Sequence, residues 1–495
     1  MKLLHDVLDA AAPGQPAIRH GGVTWTYGEL RDRSLGLASW LATVGVGRGD
    51  RVVVQAANHP QSAALLYAAS RLGAAFTHLH PAAQPYQLRH VLADCDPALV
   101  IADQECLATA RASAAVDVYG LEGLPAGSFS GAALAGETAR PSDPACLIYT
   151  SGSTAMPKAV VAPHTQMLFA ARAIQERLRY REDDAVFCAL PLSFDYGLYQ
   201  ILLCGLAGAE LVLSGAGEAG PALLATLVRE RISIAPLVPA MAGTLARLLD
   251  RARGGQPQPG TRLRLITSTG ASMPASTLRR LRVGQPGLRA QVMFGLTECK
   301  RVSIMEPDGD LARPGSCGRP LDGTDAWAVD ADGRRLPPGE TGELVVSGPH
   351  VMAGYWRAPA LTESRFRVDR DGTRYLRTGD VCSFDSDGYL YFAGRIDETY
   401  KSRGLRVSAA EVEAAALDVP GVTAAAVVPP SDGWPAALLA VTGDVAPPCV
   451  LKELATRLED FKVPAACHVL TTMPLTTHGK TDKKAVAARL REASR

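Results

Sequence analysis

The residues best suited to chemistry lie in one short segment, residues 147–161, with the sequence LIYTSGSTAMPKAVV. Its apolar start is typical of a strand, and small or hydroxylated residues follow before a single lysine. Hydroxyls and unhindered backbone N–H groups can hold phosphate oxygens, and the lysine adds a point charge. The residues that could face polyphosphate are Thr150, Ser151, Gly152, Ser153, Thr154 and Lys158. The Walker pattern is absent, and a Ser/Thr-rich surface turn is the alternative.

Further charged residues follow glycine-containing turns. Glu298 lies in MFGLTEC, Asp380 in YLRTGDV, and Lys480 in THGKTDKKAV. Each has an ordinary explanation when it is taken alone. The glutamate could be solvated, the aspartate could stabilise a turn, and the lysine could be an exposed side chain near the C-terminus.

The elements that must position these residues alternate in type. Helical patterns at residues 27–41 and 61–72 alternate with short strands at 50–56, 74–80, 98–102 and 263–269. This alternation predicts an α/β fold with parallel sheets covered by helices. The apolar run at 198–213 predicts a core helix. After about residue 315, crowded turn signals predict a small β-rich region of hairpins. From Ser408 the α/β alternation returns, and residues 452–461 show the apolar face of a helix.

Composition limits the classes of protein. The chain has 495 residues, 47% of them hydrophobic and 20% charged, with a net charge of +1. We expect more than one globular domain and no broad electrostatic attraction to nucleic acid or an anionic membrane. The ten cysteines form no CxxC pair, which favours reduced thiols. No targeting or membrane-spanning segment is recognisable, so we expect a cytoplasmic protein.

Five segments, in order and spacing, resemble the core motifs of the AMP-forming adenylate superfamily: acyl-CoA synthetases, aryl-acid ligases and nonribosomal peptide adenylation domains. They are the opening loop, MFGLTEC, GELVVSGPHVMAGYW, the stretch at residues 375–413, and THGKTDKKAV. The resemblance implies an α/β N-terminal domain at residues 1–395, with several subdomains, and a small mobile α+β domain at 396–495. It also implies ATP and Mg²⁺ as cofactors, and an acyl-adenylate as the first product.

The resemblance assigns roles residue by residue. Phe294 would stack on adenine, with Gly270 and Gly295 beside the nucleotide. Thr297 would contact the α-phosphate and Glu298 would hold Mg²⁺. The remaining roles are ribose binding by Asp380, ribose or phosphate binding by Arg395, domain rotation at Asp397, and stabilisation of charge during adenylation by Lys480. Ala155 and Ala159 replace glycines of the usual phosphate loop, so we expect weaker ATP binding.

The segment LPLSFDYGLYQ, residues 190–200, is the best substrate clue. Phe194 followed by Asp195 resembles the pattern of amino-acid-activating domains, with Gly295 also lining the substrate pocket. A carboxylate in an apolar pocket needs a partner, which a substrate ammonium would supply. An aspartate held by backbone N–H groups at a turn is the alternative. Lys300 and Arg301 could contact a carboxylate-bearing substrate or be solvated.

We therefore expect a freestanding enzyme that activates an amino acid or β-amino acid and loads it onto a carrier protein through a phosphopantetheine arm. Three alternatives remain open at this point. They are a ligase that uses free CoA, a non-catalytic scaffold with an altered phosphate loop, and a nucleotide-binding oxidoreductase. The last is disfavoured because no GxGxxG follows the first strand.

Overall fold

The computed structural model describes residues 1–125, 139–150, 157–253, 261–396, 399–402, 405–430, 436–458, 460–476 and 479–493. The helices in these ranges are α1 His5–Asp9, α2 Tyr27–Thr43, α3 Pro60–Leu72, α4 Pro85–Cys95, α5 Leu107–Ser113, α6 His164–Leu178, α7 Asp195–Ala207, α8 Leu223–Arg229, α9 Pro239–Arg253, α10 Ala275–Gly284, α11 Pro359–Arg365, α12 Ala409–Leu417, α13 Pro447–Ala455 and α14 Lys483–Ala493.

The strands of the first half are β1 Pro16–His20, β2 Val23–Thr26, β3 Arg51–Gln55, β4 Ala75–Leu79, β5 Leu99–Ala102, β6 Val118–Gly120, β7 Pro144–Thr150, β8 Lys158–Pro163, β9 Ala185–Cys188, β10 Glu210–Leu213, β11 Ile234–Leu237, β12 Leu265–Ser268 and β13 Arg289–Phe294. Those of the second half are β14 Ser303–Ile304, β15 Arg319–Pro320, β16 Asp325–Val329, β17 Gly342–Ser347, β18 Gly354–Tyr355, β19 Phe366–Val368, β20 Arg374–Phe384, β21 Leu390–Arg395, β22 Thr399–Ser402, β23 Leu405–Ser408, β24 Val422–Val428, β25 Leu438–Gly443 and β26 Ala466–Val469.

Two large sheets form the core of the N-terminal part. One has the order β18-β8-β7-β4-β3-β5-β6, and the other has the order β15-β14-β13-β12-β11-β9-β10-β1-β2. Their central strands pair in parallel, and antiparallel pairs occur toward the edges. Strands such as β3, with the sequence RVVVQ, are almost wholly buried because helices cover both faces of such sheets.

The hairpin region after residue 315 forms a separate antiparallel sheet with the order β16-β17-β20-β19, and β21 pairs with β20. The C-terminal region contains the β22–β23 hairpin and the sheet β24-β25-β26. Helix α12 packs against β24, and Ser408 caps it by accepting a hydrogen bond from the Glu411 N–H at 3.4 Å. The predicted fold class is confirmed. The boundary between residues 395 and 396 stays a prediction, and Asp397 lies outside the described residues.

Two expectations about elements are wrong. The apolar run at 198–213 is not one helix, because α7 ends at Ala207 and the chain turns at Gly208, with φ of 70°, into strand β10. Glycine adopts this left-handed conformation without steric cost, so it terminates the helix. The helical face expected at 452–461 belongs to α13, which begins and ends earlier, at Pro447 and Ala455.

Each of the ten cysteines is a free thiol, as the sequence suggested. Among the residues that the structure describes, no helix combines the length and apolarity that crossing a bilayer requires.

Candidate active site

A cavity of about 910 Å³ lies where strands of the two large sheets end. Ligands of open α/β sheets bind at the carboxyl ends of the strands, so this is the position that the topology favours. Every predicted nucleotide, catalytic or substrate residue within the described ranges lines this cavity: Thr150, Lys158, Phe194, Asp195, Gly270, Phe294, Gly295, Thr297, Glu298, Asp380, Arg395 and Lys480. Ser151, Gly152, Ser153, Thr154 and Ala155 lie outside those ranges.

The β7–β8 hairpin carries the lysine of the opening segment. Thr150 and Lys158 face each other as the last register pair of the two strands. Ala159 follows within β8, where it pairs with Tyr149 and is buried. It is not among the residues with positive φ. An alanine therefore fits this position without backbone strain, and the argument for weaker ATP binding does not apply to Ala159.

The turn after β13 presents several side chains to the cavity. The N–H of Val302 donates to the Phe294 carbonyl at 2.9 Å and closes this turn. A Cβ at Gly295 would lie 2.4 Å from the Lys300 carbonyl oxygen, so only glycine fits there. The Phe294 and Phe392 rings lie 5.3 Å apart at 32°, which gives the cavity an aromatic wall of the kind on which a base can stack.

The carboxylate of Glu298 is held by an aromatic hydroxyl. Tyr355 Oη donates a hydrogen bond to Glu298 Oε1 at 2.7 Å. The same hydroxyl lies 3.4 Å from Lys158 Nζ, which is also 4.3 Å from the centre of the tyrosine ring. Burial, followed by the charge of Glu298, raises the pKa of Tyr355 well above its usual value.

Asp380 is buried beside the cavity, where Arg395 Nη1 donates to its Oδ1 at 2.7 Å. Its own N–H is hydrogen-bonded to Thr378 Oγ1 at 3.0 Å. The preceding residue, Gly379, has φ of 74°, and the Arg365 guanidinium packs against the space that a Cβ would fill. The turn is therefore fixed from both sides, and Asp380 is presented in one orientation.

Lys480 reaches the same cavity from the C-terminal region. It follows Gly479, with φ of 74°, in a tight turn in which the Thr476 N–H donates to the Lys480 carbonyl at 2.7 Å. A Cβ at Gly270 would lie 3.8 Å from Lys480 Cε, and one at Gly479 would lie 3.4 Å from Val238 Cγ2. This turn therefore lies against the loop that follows β12.

A compact set of charges lies at the other end of the cavity. Asp195 is the first residue of α7, where the helix dipole favours a carboxylate. Lys300 Nζ lies 3.6 Å from its Oδ2. Asp195, Lys300 and Arg301 are only 7%, 2% and 3% exposed. The expectation that Lys300 and Arg301 could be solvated is therefore wrong.

Some donor groups of these buried cations have no acceptor among the described residues. Arg301 Nη1 donates to Thr269 Oγ1 at 2.6 Å, but Arg301 Nε and Lys300 Nζ have no hydrogen-bond partner among the residues that the structure describes. Ser193 Oγ, which also lines the cavity, has none within the same ranges. Two cations against one carboxylate leave an excess positive charge, and buried charges of this kind need a counterion.

Burial shifts the pKa values of these groups. Desolvation, opposed by the charge of Asp195, lowers the pKa of Lys300 to about 7. Desolvation likewise lowers the pKa of Arg301. Tyr199, whose ring centre lies 4.3 Å from Lys300 Nζ, has a pKa raised well above its usual value by burial. Its hydroxyl stays neutral, so Asp195 is the anion that faces Lys300.

Sequence reasoning missed two features of the site. The first is Tyr355, which lay within a recognised segment but whose partners Lys158 and Glu298 are distant in sequence. The second is the burial of Lys300 and Arg301, because charged residues in a turn ordinarily face solvent. A signal existed for the second, since Lys300 and Arg301 directly follow the candidate metal ligand Glu298 and residue Cys299.

The comparisons with known proteins agree with this geometry. The model of the AMP-binding enzyme family matches residues 7–356, and that of the AMP-binding enzyme C-terminal domain matches residues 411–480. The chain therefore belongs to the AMP-binding enzyme family and is an AMP-forming ligase.

Two curated relatives illustrate the range of the family. A probable non-canonical nonribosomal peptide synthetase, CymA of Salinispora arenicola, is 35% identical over 96% of this chain, which spans 6% of CymA. A feruloyl-CoA synthase of an Amycolatopsis species is 33% identical over 97% of this chain and 96% of its own length.

Comparison with solved structures also shows similar proteins of the same fold. VinN in complex with L-aspartate is 41% identical, with a TM-score of 0.71, and the match covers 79% of this chain and 98% of VinN. ATP-bound MatB from Rhodopseudomonas palustris is 27% identical, with a TM-score of 0.83, over 100% of both chains.

Proposed function

We propose that this enzyme uses ATP to activate an aspartate-type acid, which carries an ammonium group and a second carboxylate, and then transfers the acyl group to the pantetheine thiol of a carrier protein. The observation that carries the proposal is the buried set of Asp195, Lys300 and Arg301, in which two cations face one carboxylate. Both amino acids and β-amino acids fall within this substrate class.

The charges of such a substrate complement the pocket. Its ammonium would pair with Asp195, and its second carboxylate would accept hydrogen bonds from Lys300 Nζ and Arg301 Nε, the cationic donors of this set that have no hydrogen-bond acceptor among the described residues. Charge-assisted hydrogen bonds of this kind are strong in a buried site. The similarity to VinN, whose structure contains L-aspartate, supports the same substrate class.

In the first half-reaction, a carboxylate oxygen of the substrate attacks the α-phosphorus of ATP. The new O–P bond replaces the bond to the bridging oxygen, and pyrophosphate leaves. Lys158 and Lys480 both line the cavity, in the N-terminal and C-terminal regions of the chain respectively, and would neutralise the anions that meet there. Asp380 and Arg395 would hold the ribose, while Thr297, Phe294, Gly270 and Gly295 would surround the α-phosphate and adenine.

Glu298 fits a magnesium site of this class. Its Oε1 accepts the Tyr355 hydroxyl, which leaves Oε2 for a metal, and Mg²⁺ is commonly held by one or two carboxylates together with substrate phosphates. When bound, Mg²⁺ would neutralise phosphate charge. The opening loop, including Ser151, Gly152, Ser153 and Thr154, would contribute its hydroxyls and N–H groups to the same phosphates.

In the second half-reaction, the pantetheine thiol loses its proton to solvent, the thiolate sulfur attacks the acyl carbon, a thioester forms, and AMP leaves with the bonding electrons. Rotation of the C-terminal domain about Asp397 would withdraw Lys480 and admit the thiol. Transfer to free CoA is the second candidate, and the similarity to feruloyl-CoA synthase favours it. Comparing CoA with a phosphopantetheinylated carrier protein as acceptor separates these two possibilities.

A pyrophosphate-exchange panel tests the substrate class. L-Aspartate is compared with β-alanine and L-alanine, which each lack one carboxylate, with succinate, which lacks the ammonium, and with ferulate. We expect L-aspartate to exceed each single-group analogue by about tenfold or more in kcat/KM, because each deletion leaves a buried charge unpaired. A higher value for succinate or ferulate would overturn the proposal. Of β-alanine and L-alanine, the analogue with the smaller loss in kcat/KM is the one that retains the activated carboxylate, so the comparison identifies that carboxylate.

A further inference from the structure

Tyr355 is held in place by contacts with residues other than Glu298 and Lys158. It lies on β18, in register with Val160 of β8, two residues from Lys158. Its N–H donates to Thr362 Oγ1 at 2.9 Å, and its ring packs edge-on against Phe366 with centres 5.5 Å apart. At 6% exposure the side chain has little freedom. Its hydroxyl is therefore a fixed point to which flexible side chains can be anchored.

Two such side chains meet at this hydroxyl. Tyr355 Oη donates to Glu298 Oε1 at 2.7 Å and accepts from Lys158 Nζ at 3.4 Å. The backbone reinforces the junction, because the Met352 N–H donates to the Glu298 carbonyl and the Trp356 N–H donates to the Ala159 carbonyl, both at 2.9 Å. The segment around Tyr355 thus joins the β13 turn to the β7–β8 hairpin.

We propose that Tyr355 is a positioning residue that aligns the metal-binding carboxylate of Glu298 with the phosphate-binding ammonium of Lys158. The inference rests on the proposed function, in which Glu298 holds Mg²⁺. Hydrogen bonds to a ligating carboxylate fix its orientation, and their loss commonly lowers metal affinity by about 10- to 100-fold. The contact with Lys158 is longer and weaker, and the aromatic face still attracts the ammonium when the hydroxyl is removed.

Tyr355→Phe isolates the hydroxyl, and binding of α,β-methylene-ATP by isothermal titration calorimetry is measured with Mg²⁺ and with EDTA. We expect the affinity in Mg²⁺ to fall about 10- to 100-fold and the affinity in EDTA to fall less than about fivefold. Equal losses in the two conditions, or no loss in Mg²⁺, would overturn the inference. Tyr27→Phe is the matched control, because that buried hydroxyl donates to the Cys204 and Ala209 carbonyls away from the cavity.

A double-mutant cycle tests whether the Tyr355 hydroxyl acts through the Glu298 carboxylate. In the Glu298→Gln background, Tyr355→Phe should cause little further loss of Mg²⁺-dependent affinity, because the hydroxyl acts through the carboxylate. Additive losses would contradict a positioning role. If the wild-type enzyme fails to bind the analogue in Mg²⁺, the proposed function fails; if wild type binds and Tyr355→Phe binds equally well, only this inference fails.

Discussion

In the proposed complex with an aspartate-type acid, the burial of Lys300 would make substrate recognition depend on pH. Desolvation lowers the pKa of this lysine to about 7 in the free enzyme. The second carboxylate of an aspartate-type substrate needs the protonated form as its partner. Above pH 7 the enzyme must therefore take up a proton when it binds this substrate. The apparent affinity is proportional to the fraction of free enzyme in which Lys300 is protonated, so it falls as the pH rises.

The size of the effect follows from this pKa. The protonated fraction falls tenfold for each pH unit above about 7, so KM for L-aspartate should rise about 25-fold between pH 6.5 and pH 8.5. KM rises with pH because protonated Lys300 binds the second carboxylate of the substrate and neutral Lys300 does not. The other groups that face Lys300 are Asp195, Arg301, Tyr196 and Tyr199. Both tyrosines have raised pKa values and stay neutral in this range.

Pyrophosphate exchange at a series of pH values measures KM directly, with β-alanine and L-alanine as substrates that each lack one carboxylate. We expect the rise for L-aspartate and a nearly constant KM for the analogue that lacks the second carboxylate. Lys300→Arg should also give a nearly constant KM for L-aspartate, because a guanidinium stays protonated throughout. A constant KM for L-aspartate in the wild type, or an equal rise for the analogue that lacks the second carboxylate, would refute the reasoning.

Three other substitutions test the remaining assignments. Lys480→Ala should abolish adenylate formation and leave thioester formation from synthetic acyl-adenylate largely intact, as single-turnover assays of the two half-reactions would show; equal loss in both would contradict its role. Asp380→Ala should raise KM for ATP by about 10- to 100-fold, because charge-assisted hydrogen bonds to the ribose are lost, and an unchanged KM would mean that the ribose lies elsewhere. Asp195→Ala should reduce kcat/KM for L-aspartate more than for succinate, and equal reductions would exclude the ammonium contact.

The fold, and the gathering of the candidate nucleotide-binding residues in one cavity, could be predicted because short segments carry them. Alternating periodicity identified strands such as β3 and helices such as α3, and motif order located Glu298, Asp380 and Lys480, all of which line one cavity. The division of the run at 198–213 was missed because an apolar sequence has no periodicity that separates a buried helix from a buried strand. Only the glycine at position 208 marks the break.

The burial of Lys300 and Arg301 beside Asp195 could not be predicted in the same way, because it depends on the path of the chain through the turn and not on residue type. Lys300 has φ of 59°, an uncommon conformation for a lysine, and this turn directs the chain so that Lys300 and Arg301 are buried beside Asp195. The same turn carries Phe294 and Glu298 on the nucleotide side. One loop therefore carries residues that are proposed to bind both partners of the reaction. Since a Cβ at Gly295 would strike the Lys300 carbonyl, a side chain there would displace Lys300 together with Glu298, the residues proposed to bind the second carboxylate of the substrate and Mg²⁺.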